Sequence, residues 1–517
     1  MADSIQNGLG PETPPRPPSM LDAVIPVVAL IGLIALSVYL FGLDATLGPL
    51  QVALFTAATI AGLIAHKNGY SYVTLGNAVI GGISSAMGAI FILLGVGALI
   101  GTWNMAGTIP TIVDYGLAIL EPSWFLAAVT LICAITGMVT GSSWTTAGTL
   151  GVAFVGIANV LGVSPEITAG AVISGAYMGD KLSPLSETTI LVPSLVGGVT
   201  TGQHIRNMIW TVGPSFAIST VIFLIISLTQ DVSGSVSTDE ARATLGQIYN
   251  ISVINLLPVV LLVVLSLRKF PAFLSIYLTA IFSGVLATIT QHDLVIAFAN
   301  DPDLSAPFAS LKGIYSAMAT GFVSTSGIES IDTLFSGGGM DSMLVTVWLI
   351  LGALAFGAIM EAAGFLDLLV KGVLGKAKSG GLLVATVIGT GIGLNIIAAD
   401  QYVAIVIPSR TFRMEFRRRR YKPVLLSRVV EDGGTVTSVL VPWNSCGAYH
   451  TGVLGISTFD YAPYCFFNII NPIISLIYGF TGFKMEKYGP DEVIPGDELA
   501  IPQQETAIPL QPAEGVA

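Results

Sequence analysis

Charge is scarce in this sequence. Only 10% of its 517 residues are Asp, Glu, Lys or Arg while 53% are hydrophobic, against about 25% charged residues in soluble domains. A soluble globular fold is excluded by that balance, and a polytopic membrane protein is implied. Cysteine and histidine are rarer still, with three and four copies. Cys133, Cys446 and Cys465 stand in apolar segments and define no disulfide or metal spacing. Without a His/Cys cluster a transition-metal site is not expected. No Walker-type glycine loop is present, so ATP-driven pumping has no support. The net charge of −11 gathers in tails and loops, so it says little about partners. No cleavable signal peptide is expected, because Met1 to Met20 is polar and rich in proline.

Long apolar runs fill the space that charge leaves. At about 20 residues per span, hydropathy leaves room for about ten to thirteen transmembrane segments in an all-α fold. Residues 1–20 read as a disordered tail, 21–483 as the transmembrane domain, and 484–517 as a second disordered tail. Leu21–Phe41, Thr46–His66 and Ala78–Thr102 open the membrane domain as full spans. Ile248–Leu267 is expected to be another. His292 to Ser342 reads as a long external loop with a short amphipathic helix near Leu311–Phe322.

Two stretches interrupt the apolar pattern where a membrane protein can least tolerate it. In GAVISGAYMGDKLSPLSETTILVPSLVGGVTT, from Gly170 to Thr201, three charges fall within eight positions. Each costs at least about 2.5–3.5 kcal/mol at membrane depth. Pro184 removes a backbone donor and disfavours helix at Ser183. The economical outcome is a helix unwound at its centre, with freed carbonyls, hydroxyls and carboxylates facing a cation. The alternative is a loop between two short helices. The second stretch, Thr140 to Thr149, places six hydroxyl residues among glycines and reads as the tip of a re-entrant hairpin, returning through Ala147–Leu161.

Slid by 252 residues, the chain brings Gly137 onto Gly389, Ser143 onto Asn395, Asp180 onto Asp432, Ser183 onto Thr435 and Ser186 onto Ser438. Two repeat halves, about 76–228 and 343–483, each with a hairpin and a broken helix, are therefore expected. The broken helices offer Asp180, Ser183, Ser186, Glu187, Thr188, Asp432, Thr435, Thr437 and Asn444. The hairpin tips offer Ser142, Ser143, Thr145, Asn395 and Asp400. These are oxygen donors, which suit a hard cation such as Na+. A carboxylate in a low-dielectric cavity holds a proton tightly, and a bound cation displaces it. That competition suffices for exchange of Na+ against H+. Lys181 has Glu187 or Asp432 as candidate partners, or the interface to snorkel to.

Between Arg410 and Arg428 lie eight of the 21 basic residues. The positive-inside rule makes this loop cytoplasmic. A nucleic-acid patch is not supported, since the loop joins membrane segments.

GAYMGDKLSPLSETT, TGSSWTTAGTLGVA and EDGGTVTSVLVPWNSCGAY resemble the signature segments of the NhaC family of Na+/H+ antiporters, with similarity from roughly Gly76 to Phe483. The resemblance implies a transporter and not an enzyme, no cofactor, inverted repeats, and residence in the cytoplasmic membrane. A homodimer is an open expectation. The family generally has Asp where this chain has Glu187, and a less arginine-dense loop where FRRRRYKP stands. It also includes Na+-malate/H+-lactate exchangers, so Na+ (or Li+) exchange for H+ leads and small-carboxylate exchange is the alternative. A passive channel is disfavoured by the paired broken helices.

Overall fold

The computed structural model describes residues 15–230, 238–374, 378–489 and 492. Among them the chain is helical, with no β-strand beyond two isolated bridges, Phe322 to Gly337 and Tyr421 to Lys487. Eight helices are long and apolar enough to cross a membrane, and ten if two bent pairs each count as one span. The lower bound of ten expected from hydropathy is thus reached only with the bent pairs. Thr108–Ile119, Phe125–Thr140 and Glu187–Val196 are apolar but short, because each ends at a break that hydropathy averages over. Ile248–Leu267 is no straight span either. Its place is taken by Arg242–Ile248 and Val253–Leu267, bent by 88°. The expected helix near Leu311–Phe322 is Ala306–Thr320, and His292–Ala299 forms another before it.

Part of each tail is docked. Ser19 caps helix Met20–Phe41 by accepting from the Asp22 amide at 3.2 Å, and Asp22 accepts from the Ser19 amide at 2.9 Å. Asp22 lies 3.6 Å from Lys67, and Arg16 donates to Asn68 at 2.7 Å, which ties residues 15–19 down. Residues 1–14 lie outside the described residues. At the other end Lys422 donates to the Glu486 carbonyl at 2.9 Å and Tyr488 to the Arg420 carbonyl at 2.8 Å. The remainder of that tail, apart from Glu492, lies outside the described residues.

The centre is organised by glycine. Helix Pro165–Leu182 carries Gly175 and Gly179 on the face turned to helix Phe125–Thr140. A Cβ on Gly175 would lie 2.2 Å from the Thr130 carbonyl, and one on Gly179 would lie 2.1 Å from that of Ala134. With no driving force from water inside lipid, such small residues let backbones touch and gain dispersion contacts. Gly391 and Gly433 meet likewise in the second half of the chain.

Helix boundaries recur along the chain, but the spacing is 258 residues. Gly141 and Ala399 both take left-handed φ, +69° and +56°. Ser142 and Asp400 then cap the return arms, accepting from the amides of Thr145 and Val403. Pro165 and Pro423 each begin a helix, and Ser186 and Asn444 each stand at the N-cap position of the helix after a break, where Asn444 accepts from the Cys446 amide. In this register Pro184 falls on Pro442 and Leu182 on Leu440, whereas Asp180 falls on Ser438 and Asp432 on Ser174. The 252-residue register aligns the two aspartates instead, the rarest letters in an apolar stretch.

Candidate ion-binding site

Helix Phe125–Thr140 stops at Gly141, whose αL conformation turns the chain. The return arm starts at once, so Ser143 presents an amide at a helix N-terminus, where negative charge is favoured. Asp180 fills that place. Its Oδ2 accepts from the Ser143 amide at 3.1 Å and from Ser143 Oγ at 2.8 Å. Two residues later helix Pro165–Leu182 ends, and residues 183–186 run to helix Glu187–Val196. Ser183 accepts from the Leu185 amide at 3.2 Å, and the Ser186 and Thr188 hydroxyls lie 3.2 Å apart. Ser143, Ser183, Ser186 and Thr188 are buried and Asp180 is half-buried.

The second half is built differently. Asp432 sits in a π-helical segment, Glu431–Thr435, and is fully buried. Its Oδ1 forms an ion pair with the Lys181 ammonium and accepts from Thr211 Oγ1 at 3.1 Å. Lys181 also donates to Asn471 Oδ1 at 3.0 Å. An ammonium already in contact occupies the place a metal cation would take, so Asp432 is a partner of Lys181 and not an equivalent of Asp180. Asn395 is likewise no counterpart of Ser143: it donates to the Gly434 carbonyl at 2.6 Å and to Thr437 Oγ1 at 3.0 Å. Asn444 donates to Asn395 Oδ1 at 3.1 Å and accepts from the Cys446 amide at 3.0 Å. Thr437, Asn395 and Asn444 therefore knit the second break together.

Glu187 is exposed and accepts from the Tyr402 hydroxyl at 2.5 Å. Asp400, as a helix cap, lines a cavity of about 350 Å³ with Gly82, Ala358, Glu361, Ala398 and Val403. Neither Asp180 nor Asp432 borders it.

Residues 19–198 and 194–483 match the profile of the Na+/H+ antiporter family. The chain belongs to the Na+/H+ antiporter family. One relative is the Na+/H+ antiporter NhaC of Alkalihalophilus pseudofirmus, 35% identical, with the match covering 85% of this chain and 91% of that one. The malate-2H+/Na+-lactate antiporter of Bacillus subtilis is 34% identical over 87% and 93% of the two chains. The arginine/ornithine antiporter ArcD of Halobacterium salinarum is 34% identical over 93% and 95%.

Several side chains that complete this family member's polar centre fall outside the oxygen-donor set expected from sequence: Glu431, His204, Thr211, Gln401 and Asn471. A signal for some is present. His204, Asn207, Thr211, Ser215 and Ser219 recur every three or four residues on helix Thr201–Thr229, and all are buried. A polar stripe on a long apolar helix marks the face turned to other helices. Arg428, expected in the basic loop, is buried instead, one turn before Asp432.

Proposed function

We propose that this multi-pass membrane protein is a secondary antiporter that exchanges Na+, with Li+ as a second candidate, for H+ across the cytoplasmic membrane. The single observation that carries the cation site is Asp180. Its carboxylate is held by the Ser143 amide and hydroxyl at the tip of one hairpin. It stands two residues from the end of a broken helix whose hydroxyls at Ser183, Ser186 and Thr188 are buried. Those oxygens are hard donors that can replace a hydration shell. The coincident helix ends support two repeat halves, 76–228 and 343–483, for which we propose an inverted orientation, and the eight basic residues of loop 410–428 support a cytoplasmic place for it. Na+ entry and H+ entry exclude each other because the buried centre tolerates little added positive charge beside Lys181.

Dissipation of an imposed pH gradient in proteoliposomes on adding Na+ alone tests this reading, and no response would overturn it. The runner-up is ion-coupled exchange of small carboxylates. It is favoured by Arg428, a buried guanidinium whose Nε and Nη1 find no partner among the described residues and which could meet an organic anion. That reading requires malate or lactate in the same assay before protons move.

A further inference from the structure

Behind the Lys181–Asp432 ion pair lies a second buried charge centre, apart from the oxygen donors around Asp180. Glu431 precedes Asp432 and is 0% exposed, and neither of its carboxylate oxygens has a hydrogen-bond partner among the described residues. Facing it is His204, also 0% exposed, whose Nε2 lies 3.8 Å from Glu431 Oε1 and has no hydrogen-bond partner among the described residues. A carboxylate buried in this way is strongly disfavoured unless something compensates it.

On the far side of the imidazole, His204 Nδ1 is 2.9 Å from Ser427 Oγ, which also lies 3.0 Å from the Val424 carbonyl. The one Ser427 proton can serve either acceptor. On the carbonyl, it leaves the hydrogen of neutral His204 on Nδ1 and a bare Nε2 lone pair facing a bare carboxylate; on Nδ1, it leaves an Nε2 hydrogen 3.8 Å from Glu431, too far for a hydrogen bond. In both arrangements one added proton compensates the buried carboxylate, whether it resides on the imidazole or on Glu431.

Resting on the Na+/H+ reading above, we infer that the transported proton is held between Glu431 and His204, and that the Lys181–Asp432 pair couples it to the cation at Asp180. The linkage runs through adjacent residues: Asp180 beside Lys181, Lys181 paired with Asp432, Asp432 beside Glu431, and Glu431 facing His204. The Lys181 ammonium is engaged with Asp432 and Asn471, and with no cation at Asp180 the negative charge of that carboxylate favours a proton on the Glu431–His204 pair. Na+ at Asp180 neutralises that charge, Lys181 then acts on Asp432 and Glu431 unopposed, and the proton leaves. The reverse sequence releases Na+ when the proton returns.

Other charged groups around Glu431 are few. Arg428 lies one turn earlier on its own helix. Helix Gly380–Ile397, which packs directly on the segment, has no titratable side chain. Helix Phe466–Thr481 offers only Tyr478, helix Gln401–Thr411 offers Tyr402 and Arg410, and helix Glu187–Val196 offers Glu187. Of these, Glu187 is exposed and tied to Tyr402.

Calorimetric Na+ binding to the purified full chain, in buffers of different ionisation enthalpy and across pH, tests the assignment. The wild type should release protons as it binds Na+, and its apparent affinity should change about tenfold per pH unit over the linked range. Glu431→Gln should bind Na+ with an affinity that no longer depends on pH and should release no proton, while Glu431→Asp should restore both. His204→Gln should displace the pH midpoint of exchange. A folded Glu431→Gln protein that keeps the wild-type pH dependence would overturn the inference. If that variant does not fold, an unchanged midpoint in His204→Gln does the same. Asp180→Asn separates this outcome from failure of the parent reading: it should abolish Na+ binding, and retained binding there would refute the cation site itself.

Discussion

Breaking the Lys181–Asp432 pair from one side should do more damage than removing it altogether. Both side chains are 0% exposed, so neither charge can turn to water. In Lys181→Met the hydrocarbon arm is largely conserved and the ammonium is lost. Among the described residues Asp432 Oδ1 then keeps only the Thr211 hydroxyl, and Oδ2 has no donor. One-sided removal of a buried pair costs about 3–5 kcal/mol, and the upper half of that range applies because a single neutral donor remains. Asp432→Asn should cost less, since an amide still answers Lys181 and Asn471 still accepts from it. The double variant Lys181→Met/Asp432→Leu should recover most of the loss, as apolar replacement of a whole buried pair is often neutral or stabilising. Thermal unfolding in detergent, followed by tryptophan fluorescence, reads all three, and exchange in proteoliposomes reads coupling. The double variant should be stable and uncoupled. A Lys181→Met protein as stable as the wild type would refute the geometry.

Asp180→Asn should insert and fold, because Asn can still accept from Ser143, yet exchange should be abolished; wild-type flux in vesicles would remove Asp180 from the site. Glu187→Gln should only shift the apparent Na+ affinity or pH profile, because the side chain is exposed and Tyr402 can still donate to it; complete loss of transport would contradict this. Gly179→Ala places a methyl 2.1 Å from the Ala134 carbonyl, so the two helices must part and Ser143 must leave Asp180. Reduced yield and at least about a tenfold loss of Na+ affinity are expected, and an unaffected variant would show that the contact is loose. A cysteine at Arg418, whose side chain is 76% exposed, should escape membrane-impermeant labelling from outside intact cells, and external labelling would reverse the topology.

Composition and local backbone rules were enough to read the class of the protein and the places where its helices stop. Scarce charge among apolar runs required a membrane domain. Pro184 with its polar neighbours required a break after Leu182, and the cluster of hydroxyls after Gly141 required a turn there; both breaks are present. Each depends on a few consecutive residues, whose backbone preferences act wherever the segment lies. The 252-residue register read from the two aspartates is not the one the helix boundaries follow; Leu182-Ser-Pro184-Leu-Ser186 against Leu440-Val-Pro442-Trp-Asn444 stands in the sequence but is outweighed there by the rarer aspartates.

Which polar groups meet is a matter of tertiary packing alone. Asp180 and Asp432 look alike as letters, each beside glycine and followed by hydroxyls. One lies against a helix N-terminus at Ser143, the other against an ammonium 251 residues away. His204 and Asn471 belong to helices whose rotation about their own axes no local pattern sets. A charge buried in lipid must find its counter-charge or a donor, and the rule that it must is readable from sequence. Which partner it finds depends on how helices far apart in the chain pack, and that is settled by glycine contacts such as Gly179 on Ala134.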